Sequence, residues 1–287
     1  MTDAFGAAPT AVPLSEWRHP ARPFFSPSPL NTTMTPHTLT ILTGASRGMG
    51  HAMADQLLQS GAHLLCISRQ TNPELAALAQ ARGAVLAQWS ADLADAAPVA
   101  QRLADWLAAL DPASVKSATL VNNAGVIPAI TPLRDNTAAD LANALRVGLE
   151  APMQLCAAFL HATQGWKLPR KVLNISSGLG RRAMASSAPY CAAKAGMDHF
   201  TRCLALDEAL QANGARVCSL APGVIDTDMQ VQLRGADPRA FPDLANFAGL
   251  HAQGQLASPA LAAQRVLAYL ARADFGANPV ADVRDAA

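Results

Sequence analysis

From residue 38 onward, short apolar segments alternate with longer segments of helical periodicity, and this alternation restricts the fold more than any other feature of the chain. The segments TLTILT (38–43), HLLCIS (63–68) and AVLAQWSADL (84–93) are typical of buried strands, and a helical pattern follows each of them. Strands joined through helices lie parallel, because each helix returns the chain to the same end of the sheet. Near-continuous apolar strands fit a sheet that is covered on both faces. The sequence therefore predicts an α/β fold built on a doubly wound parallel sheet.

The same alternation continues to the C-terminus. Further strands are predicted within residues 117–125, 170–177, 214–223 and 278–283, and long helices from about Thr137 to His161 and over residues 188–210. No linker interrupts the pattern, so residues 37–287 are predicted to form a single Rossmann-type domain. Residues 1–36 contain seven prolines and no sustained periodicity, which predicts a disordered extension.

Composition excludes several classes of function. The net charge of +1 and the dispersed basic residues argue against nucleic-acid binding. No apolar run reaches the roughly 20 residues that a membrane-spanning helix needs. The five cysteines form no C-x-x-C pair and the histidines are dispersed, which argues against a disulfide scaffold and against a metal site. We therefore expect a cytoplasmic protein whose partner is a small molecule.

A glycine-rich loop, TGASRGMG (43–50), follows the first predicted strand and opens the first predicted helix. Gly44, Gly48 and Gly50 allow unusual backbone angles and a close approach of the backbone to a phosphate. The N-terminus of the helix then offers free N–H groups to the phosphate. This context predicts a dinucleotide site.

The end of the second strand indicates which dinucleotide is preferred. An acid at this position would bind the ribose hydroxyl of NAD, whereas a basic residue accommodates the 2′-phosphate of NADP. Arg69 follows this strand, the next acid is Glu74, and Arg47 in the glycine-rich loop adds a second guanidinium. The pattern favours NADP(H), although both arginines also fit solvated surface positions.

Tyr190 and Lys194 lie four residues apart in the segment APYCAAKAG (188–196), which is predicted to be helical. Residues at this spacing share a helix face, and a cation near a phenol lowers the pKa of the phenol. Such a tyrosine can exchange a proton near neutral pH. The pair alone equally fits a half-buried aromatic residue beside a solvated charge.

Five segments in this order resemble the short-chain dehydrogenase/reductase family over roughly residues 38–287: TGASRGMG, NNAG (122–125), NISS (174–177), Tyr190 with Lys194, and APG (221–223). The resemblance implies an NADP-dependent oxidoreductase acting on CH–OH groups. It implies that Ser177 holds the substrate carbonyl oxygen, with Ser176 as the alternative. Tyr190 would then donate a proton to that oxygen, while Lys194 lowers the pKa of the tyrosine and binds the nicotinamide ribose.

The resemblance also assigns cofactor contacts along the chain. Asp92 matches the adenine contact, the residues after the fourth strand match the adenosine ribose side, and the segment after the sixth strand matches the nicotinamide side. The implied cofactor-binding residues are Gly44, Ser46, Arg47, Gly48, Met49, Gly50, Arg69, Asp92, Asn122, Ala124, Gly125, Tyr190, Lys194, Pro222, Gly223, Val224, Ile225 and Thr227.

Two segments, PGVIDTDMQ (222–230) and LEAPMQL (149–155), are similar to the sepiapterin reductase and benzil reductase branch of the family. This similarity implies an NADPH-dependent carbonyl reductase of a small dicarbonyl or pterin-like substrate, and a homodimer or homotetramer. The segment VADVRD (280–285) resembles the tail that holds the pterin through an aspartate. Asp282, with Asp285 as the alternative, is therefore a candidate substrate-binding residue beside Ser177 and Tyr190, although a solvated tail carboxylate fits as well. Residues 229–257 lack clear periodicity, which predicts an irregular lid.

One position departs from the family pattern. Gly148 stands where many members carry an asparagine that holds a water molecule in a proton relay. Either another group holds this water, or the relay is impaired and turnover is slow. Two alternatives to the leading function therefore remain: a family member that acts on another alcohol or ketone (3-oxoacyl, sugar or steroid), and a weakly active NADP(H)-binding sensor.

Overall fold

The computed structural model describes residues 36–285, so the predicted extension over residues 1–36 lies, apart from Pro36, outside the described residues. The strands are β1 (His37–Thr43), β2 (Ala62–Ser68), β3 (Val85–Ser90), β4 (Val115–Asn122), β5 (Arg170–Ile175), β6 (Arg216–Ala221) and β7 (Val280–Asp282). They form one parallel sheet in the order β3-β2-β1-β4-β5-β6-β7. The predicted doubly wound sheet is confirmed.

Helices cover both faces of this sheet. Within the described residues they are α1 (Gly48–Leu57), α2 (Pro73–Arg82), α3 (Ala97–Ala108), α4 (Ala138–Leu145), α5 (Ala151–Ala162), α6 (Ala188–Ala209), α7 (Asp228–Arg234), α8 (Leu244–Ala252) and α9 (Pro259–Ala271). On one face Leu103 of α3 and Phe159 of α5 are fully buried, and on the other Met53 of α1 and Val266 of α9 are fully buried. This two-sided burial explains why the strands are apolar along most of their length.

The chain order of the strands reverses beside β1. Its neighbours are β2 on one side and β4 on the other, with Leu42 opposite Cys66 and Val121. The helices that follow β1 and β4 along the chain therefore lie on opposite faces of the sheet, as the burial of Met53 in α1 and Phe159 in α5 shows. A crevice at such a reversal is where open α/β sheets bind ligands.

The helix predicted from Thr137 to His161 contains one wider turn. The Thr137 side chain caps α4, a π turn spans Arg146–Glu150, and α5 then continues to Ala162. Pro152 explains the interruption, because it has no N–H to donate to the carbonyl of Gly148 and its ring would collide with that carbonyl in an α-helix. A Cβ atom added to Gly148 would lie 2.9 Å from the Cβ of Ala193 in α6, so glycine permits the close approach of the π turn to α6.

The prediction of an irregular segment over residues 229–257 is wrong in part. This stretch includes α7 and α8, which pack through a small apolar cluster around Phe241 and Phe247, with ring centroids 5.7 Å apart. Both helices are short, which leaves too few turns for a clear helical periodicity in the sequence. Both helices nevertheless contribute residues to the wall of the cavity described next.

Candidate active site

A cavity of about 840 Å³ lies at the carboxyl ends of the central strands. The loops that follow β1, β2, β4, β5 and β6 line it, together with residues of α7, α8 and the C-terminal tail (residues 280–285). Its position is the one expected from the reversal of strand order beside β1.

The glycine-rich loop forms one wall and is packed against the loop after β4. Gly44 has a φ of +70°, and a Cβ atom there would lie 2.8 Å from the Cα of Ala124. A Cβ atom on Gly50 would lie 2.0 Å from the carbonyl oxygen of Gly44. Asn123 joins the two loops, because its Nδ2 donates to the carbonyl oxygens of Thr43 at 3.0 Å and Gly44 at 3.1 Å. No larger residue fits at either glycine.

The first turn of α1 faces this cavity without a side-chain cap. Arg47 precedes the helix and makes no capping hydrogen bond, so described side chains do not occupy the first N–H groups of the helix. An uncapped helix N-terminus beside close-packed glycines is suited to a phosphate group. The loop therefore fits the pyrophosphate of a dinucleotide.

Both predicted phosphate-binding arginines lie at the rim of the cavity. Arg69 is exposed and follows Ser68, whose hydroxyl accepts a hydrogen bond from the N–H of Ala45 at 2.8 Å. Arg47 is also exposed, and its Nη1 lies 2.8 Å from the Oδ2 atom of Asp228 in α7. An ion pair thus spans the rim between the glycine-rich loop and α7.

Ser177, Tyr190 and Lys194 all line the same cavity. Ser177 follows β5 in an extended conformation, and its hydroxyl accepts the N–H of Leu179 at 3.1 Å. Tyr190 and Lys194 lie in the first two turns of α6. The Nζ atom of Lys194 lies 5.8 Å from the centroid of the Tyr190 ring and donates to the carbonyl oxygen of Ile175 at 2.8 Å. The end of β5, the turn that follows it and the first turns of α6 thus meet at one point.

Burial dominates the pKa values of this group. Burial raises the pKa of Tyr190, and the nearby Ser177 hydroxyl opposes part of that shift. Burial lowers the pKa of Lys194 to about 8, against the opposing charge of Asp198. The expectation that Lys194 lowers the pKa of Tyr190 therefore differs from the structure, where desolvation of the phenol outweighs the neighbouring cation. Tyr190 is protonated at neutral pH, as a proton donor requires, and burial makes it a weaker acid than a free phenol.

Ser176, the alternative to Ser177, also borders the cavity. It is buried, and its hydroxyl has no hydrogen-bond partner among residues 36–285. Of the two, Ser177 has the hydroxyl that acts on the pKa of Tyr190. Ser177 therefore stays the candidate, beside Tyr190, for the group that holds a carbonyl oxygen.

The structure brings the predicted cofactor-binding residues together, with one exception. Asn122 is 1% exposed, and its Nδ2 donates to the Oδ1 of Asn174 at 2.9 Å inside the protein. Its side chain points inward from β4, so it does not line the cavity, and the following Asn123 does. The residues of that set that line the cavity are Gly44, Ser46, Arg47, Gly48, Met49, Gly50, Arg69, Asp92, Ala124, Gly125, Tyr190, Lys194, Pro222, Gly223, Val224, Ile225 and Thr227.

Asp282 is not a solvated tail carboxylate. It is buried on the cavity wall, and its two oxygens accept from the Nε and Nη2 of Arg284 at 2.7 and 2.6 Å. This pairing holds the pKa of Asp282 below its usual range. Asp285 has another role, because its carboxylate accepts the N–H of Asp282 at 2.8 Å. Arg284, which the sequence analysis did not assign, lies two residues after Asp282 and shares the cavity with it.

Gln230 is a second cavity residue without an assignment from the sequence. It lies in the first turn of α7 and is 5% exposed, and its buried Oε1 has no hydrogen-bond partner among residues 36–285. Leu233 and Phe247 form the apolar wall around it. No periodicity marks this residue, since only the docking of α7 brings it to the cavity.

The residues described in the structure include no helix long and apolar enough to cross a membrane. They also include no cluster of three or more histidine, cysteine or acidic side chains that could hold a metal ion.

Comparison with known proteins gives consistent matches. A family model described as short chain dehydrogenase matches residues 38–237. Benzil reductase ((S)-benzoin forming) of Bacillus cereus is 33% identical over 235 residues, which cover 82% of this chain and 94% of that protein. Sepiapterin reductase of Rattus norvegicus is 32% identical over 258 residues, covering 85% of this chain and 95% of that protein.

Solved structures match as well. A crystal structure from Beutenbergia cavernae, of a candidate NAD(P)-dependent gluconate 5-dehydrogenase, contains bound NADP at low occupancy. It is similar to this chain with a TM-score of 0.71 and 29% identity, over 86% of this chain and 95% of that one.

Proposed function

The chain belongs to the short-chain dehydrogenase/reductase family, a family of oxidoreductases, and from that premise we propose that it is an NADPH-dependent carbonyl reductase of a small dicarbonyl or pterin-like ketone. One observation carries the proposal. Ser177, Tyr190 and Lys194 line the same cavity as the glycine-rich loop. Groups able to hold a carbonyl oxygen and to protonate it therefore face the proposed site of a dinucleotide.

The residues of the chain divide the work as follows. The Ser177 hydroxyl donates a hydrogen bond to the substrate carbonyl oxygen and orients it. Tyr190 transfers its phenolic proton to that oxygen as the alcohol forms and so acts as the general acid. The Lys194 ammonium lies beside the ring and stabilises the phenolate that remains. The bound nicotinamide supplies the hydride.

The glycine-rich loop and the first turn of α1 are proposed to hold the pyrophosphate. Asp92, Ala124 and Gly125 are proposed on the adenosine side, and the loop after β6 on the nicotinamide side. Arg47 and Arg69 carry the preference for NADP(H), because both are exposed guanidinium groups at the rim, where a 2′-phosphate can be paired. The relative with bound NADP supports this preference.

Gln230 supports a substrate with two neighbouring polar groups. Burying a carboxamide without partners costs free energy, so such a group is retained where a ligand satisfies it. A carboxamide offers one donor group and one acceptor. The Nε2 of Gln230 could donate to the second oxygen of a dicarbonyl, and its Oε1 could accept an N–H from the amide edge of a pterin, whereas a simple ketone would leave the carboxamide unpaired.

Self-association is also part of the proposal. Leu206 of α6 and Leu210, which follows the last residue of that helix, lie four residues apart and are 71% and 84% exposed, and Met153 in α5 is 43% exposed. Large apolar side chains at this spacing form one face of a helix. A homodimer or homotetramer that buries this face is the proposed assembly.

The alternative of a weakly active sensor rests on Gly148. The contact with Ala193 gives this glycine a packing role, and the assay below separates a sensor from a reductase. Reduction of another ketone is left as an outcome of the test below.

The test is NADPH oxidation against a panel of carbonyl compounds. Benzil, other diketones and sepiapterin should be reduced, and 3-oxoacyl thioesters, sugar ketones and steroid ketones should be poor substrates. The reverse ranking would retain the enzyme and overturn the substrate class. Tight NADPH binding without oxidation by any carbonyl would overturn the reductase and favour the sensor.

Tyr190→Phe tests the proton donor. Loss of the donor should reduce kcat by about 10²–10⁴-fold, because proton transfer to the reacting oxygen contributes a factor of that size. NADPH affinity should stay within a small factor of the wild type. Tyr269 in α9 is the other tyrosine of the chain and supplies the matched control, since Tyr269→Phe lies outside the cavity. Full activity of Tyr190→Phe would refute the mechanism.

A further inference from the structure

Asp198 is a buried carboxylate to which the proposed mechanism gives no role. It is 1% exposed and lies in α6, one helical turn after Lys194. Its Oδ1 accepts from the Ser219 hydroxyl at 2.6 Å, and its Oδ2 accepts from the Nε of Arg181 at 3.1 Å. A carboxylate held away from water needs such partners, because desolvation of the charge costs several kcal/mol otherwise.

The partners of Asp198 come from the elements that build the candidate site. Arg181 ends the serine turn, which we define as residues 177–181, and its Nη2 donates to the carbonyl oxygen of Ala281 at 2.8 Å. Ala281 precedes Asp282, which lines the cavity. The serine turn also packs directly on the carboxylate, since a Cβ atom on Gly180 would lie 2.9 Å from its Oδ2. One carboxylate therefore connects the serine turn, α6 and, through Arg181, the C-terminal tail.

The same carboxylate belongs to the charges around Lys194. Residues four apart in a helix are neighbours, and the charge of Asp198 favours the protonated form of Lys194, whose pKa burial lowers to about 8. The carbonyl oxygen of Ile175 in β5 accepts a hydrogen bond from the Lys194 ammonium. The other titratable and charged groups around these residues include Tyr190 and Cys191 of α6, Cys218 of β6, Arg181 and Arg182, and Asp282 with Arg284 of the tail.

We propose that Asp198 is a positioning residue for the reductase reaction, which anchors the serine turn and the C-terminal tail to α6 and balances the charge of Lys194. The proposal rests on the proposed function for its kinetic consequence only. Its physical content, the coupling of Asp198 to Lys194, can be measured without any substrate.

The direct test is a titration of lysine side chains by NMR in protein carrying ¹⁵N-labelled lysine. The chain has four lysines, so the signals are few. In Asp198→Asn the pKa of Lys194 should fall by about one pH unit, a tenfold change, because an opposite charge nearby is removed. Lys171 is an internal reference: it also has a lowered pKa, from burial and Arg216, and it lies at the other end of β5 from Ile175. Its titration should not move.

The kinetic test compares pH profiles of three variants. In Asp198→Asn the fall of kcat/KM on the alkaline side should move to lower pH by the same amount. In Arg181→Gln this fall should move to higher pH, because a cation beside the carboxylate is removed. The KM for the carbonyl substrate should rise, because the tail loses its hydrogen bond to Arg181. Ser219→Ala keeps every charge and should leave the profile in place.

The proposal is overturned if the pKa of Lys194 is unchanged in Asp198→Asn, or if the pKa values of Lys194 and Lys171 shift equally. If Asp198→Asn does not fold, Arg181→Gln decides, and an unmoved pH profile with unchanged KM in that variant rejects the anchor. A wild-type protein that reduces no carbonyl would refute the proposed function and leave the NMR result to stand by itself.

Discussion

Gly148→Ala offers the sharpest test of how the π turn between α4 and α5 meets α6. The added Cβ atom would lie 2.9 Å from the Cβ of Ala193, whereas ordinary contacts lie at 3.4–4 Å. Both atoms are fixed to helix backbones, so no side-chain rotation can separate them. Overpacking of this kind costs about 1–3 kcal/mol. The gain from replacing a helical glycine by alanine offsets about 1 kcal/mol at most.

The expected result is a net destabilisation of about 1–2 kcal/mol, or a fall in Tm of roughly 2–8 °C for a domain of this size. Thermal and urea unfolding measure it. Gly165→Ala is the matched control, because no atom lies within 4 Å of its added Cβ and its backbone is not in the left-handed region. That control should be neutral or slightly stabilising.

A double-mutant cycle identifies the contact itself. Ala193→Gly removes the opposing methyl group, so Gly148→Ala should cost about 1 kcal/mol less in that background. Ala193 precedes Lys194, so the displaced α6 should also lower kcat in the single variant. Additive free energies of unfolding, with Gly148→Ala as stable as the wild type, would refute the packing account of Gly148.

The remaining predictions concern the cofactor, the substrate and the assembly. Replacing Arg47 and Arg69 by alanine should weaken NADPH binding about tenfold or more per charge-assisted hydrogen bond lost, and leave NADH binding nearly unchanged. Gln230→Leu should raise KM for a dicarbonyl about tenfold and keep or increase Tm, because an unpaired buried carboxamide is removed. Leu206→Glu with Leu210→Glu should shift the protein to monomers in analytical ultracentrifugation, because a charge replaces each exposed apolar contact.

Each of these predictions has a control from the same chain. Arg239→Ala removes an exposed arginine outside the cavity, Gln232→Leu changes an exposed residue of α7, and Leu261→Glu alters an exposed leucine of α9. Equal losses of NADPH and NADH affinity would contradict the cofactor assignment. A dicarbonyl KM that Gln230→Leu leaves unchanged would remove Gln230 from the substrate site. An unaltered molar mass would place any assembly interface elsewhere.

Much of the fold follows from local patterns in the sequence. Gly83 adopts the left-handed conformation that ends α2, and Ser258 caps α9 through the N–H of Leu261. Such signals depend on a few neighbouring residues, so they can be recognised from the sequence alone. The π turn cannot, because proline is tolerated in the first turn of a helix. Pro152 is disruptive only because α5 continues directly from α4.

The candidate site likewise contains residues that the sequence predicts and residues that only the fold brings together. The glycine-rich loop, Tyr190 and Lys194 follow from spacing along a single element. Asn123 lines the cavity and Asn122 does not, because the chain turns at the end of β4, which is Asn122. The sequence does not specify this turn. Gln230 and Asp198 depend on how distant elements dock, so their neighbours cannot be deduced before the fold is known. The pKa of Tyr190 depends on the depth of burial, which local sequence does not specify.

The ion pair between Arg47 and Asp228 has a consequence for how two dinucleotides would compete. An exposed pair of this kind contributes at most about 1 kcal/mol, while a charge-assisted hydrogen bond to a phosphate contributes about 1.5–3 kcal/mol. A nucleotide with a 2′-phosphate can therefore replace Asp228 as the partner of Arg47, because the hydrogen bond gained is stronger than the ion pair lost. A nucleotide without it must either leave the pair in place across the rim or break it with nothing in return. Discrimination between the two nucleotides would then arise from the replacement of Asp228 by the 2′-phosphate as well as from direct attraction. Added salt would weaken the interaction of Arg47 with either partner.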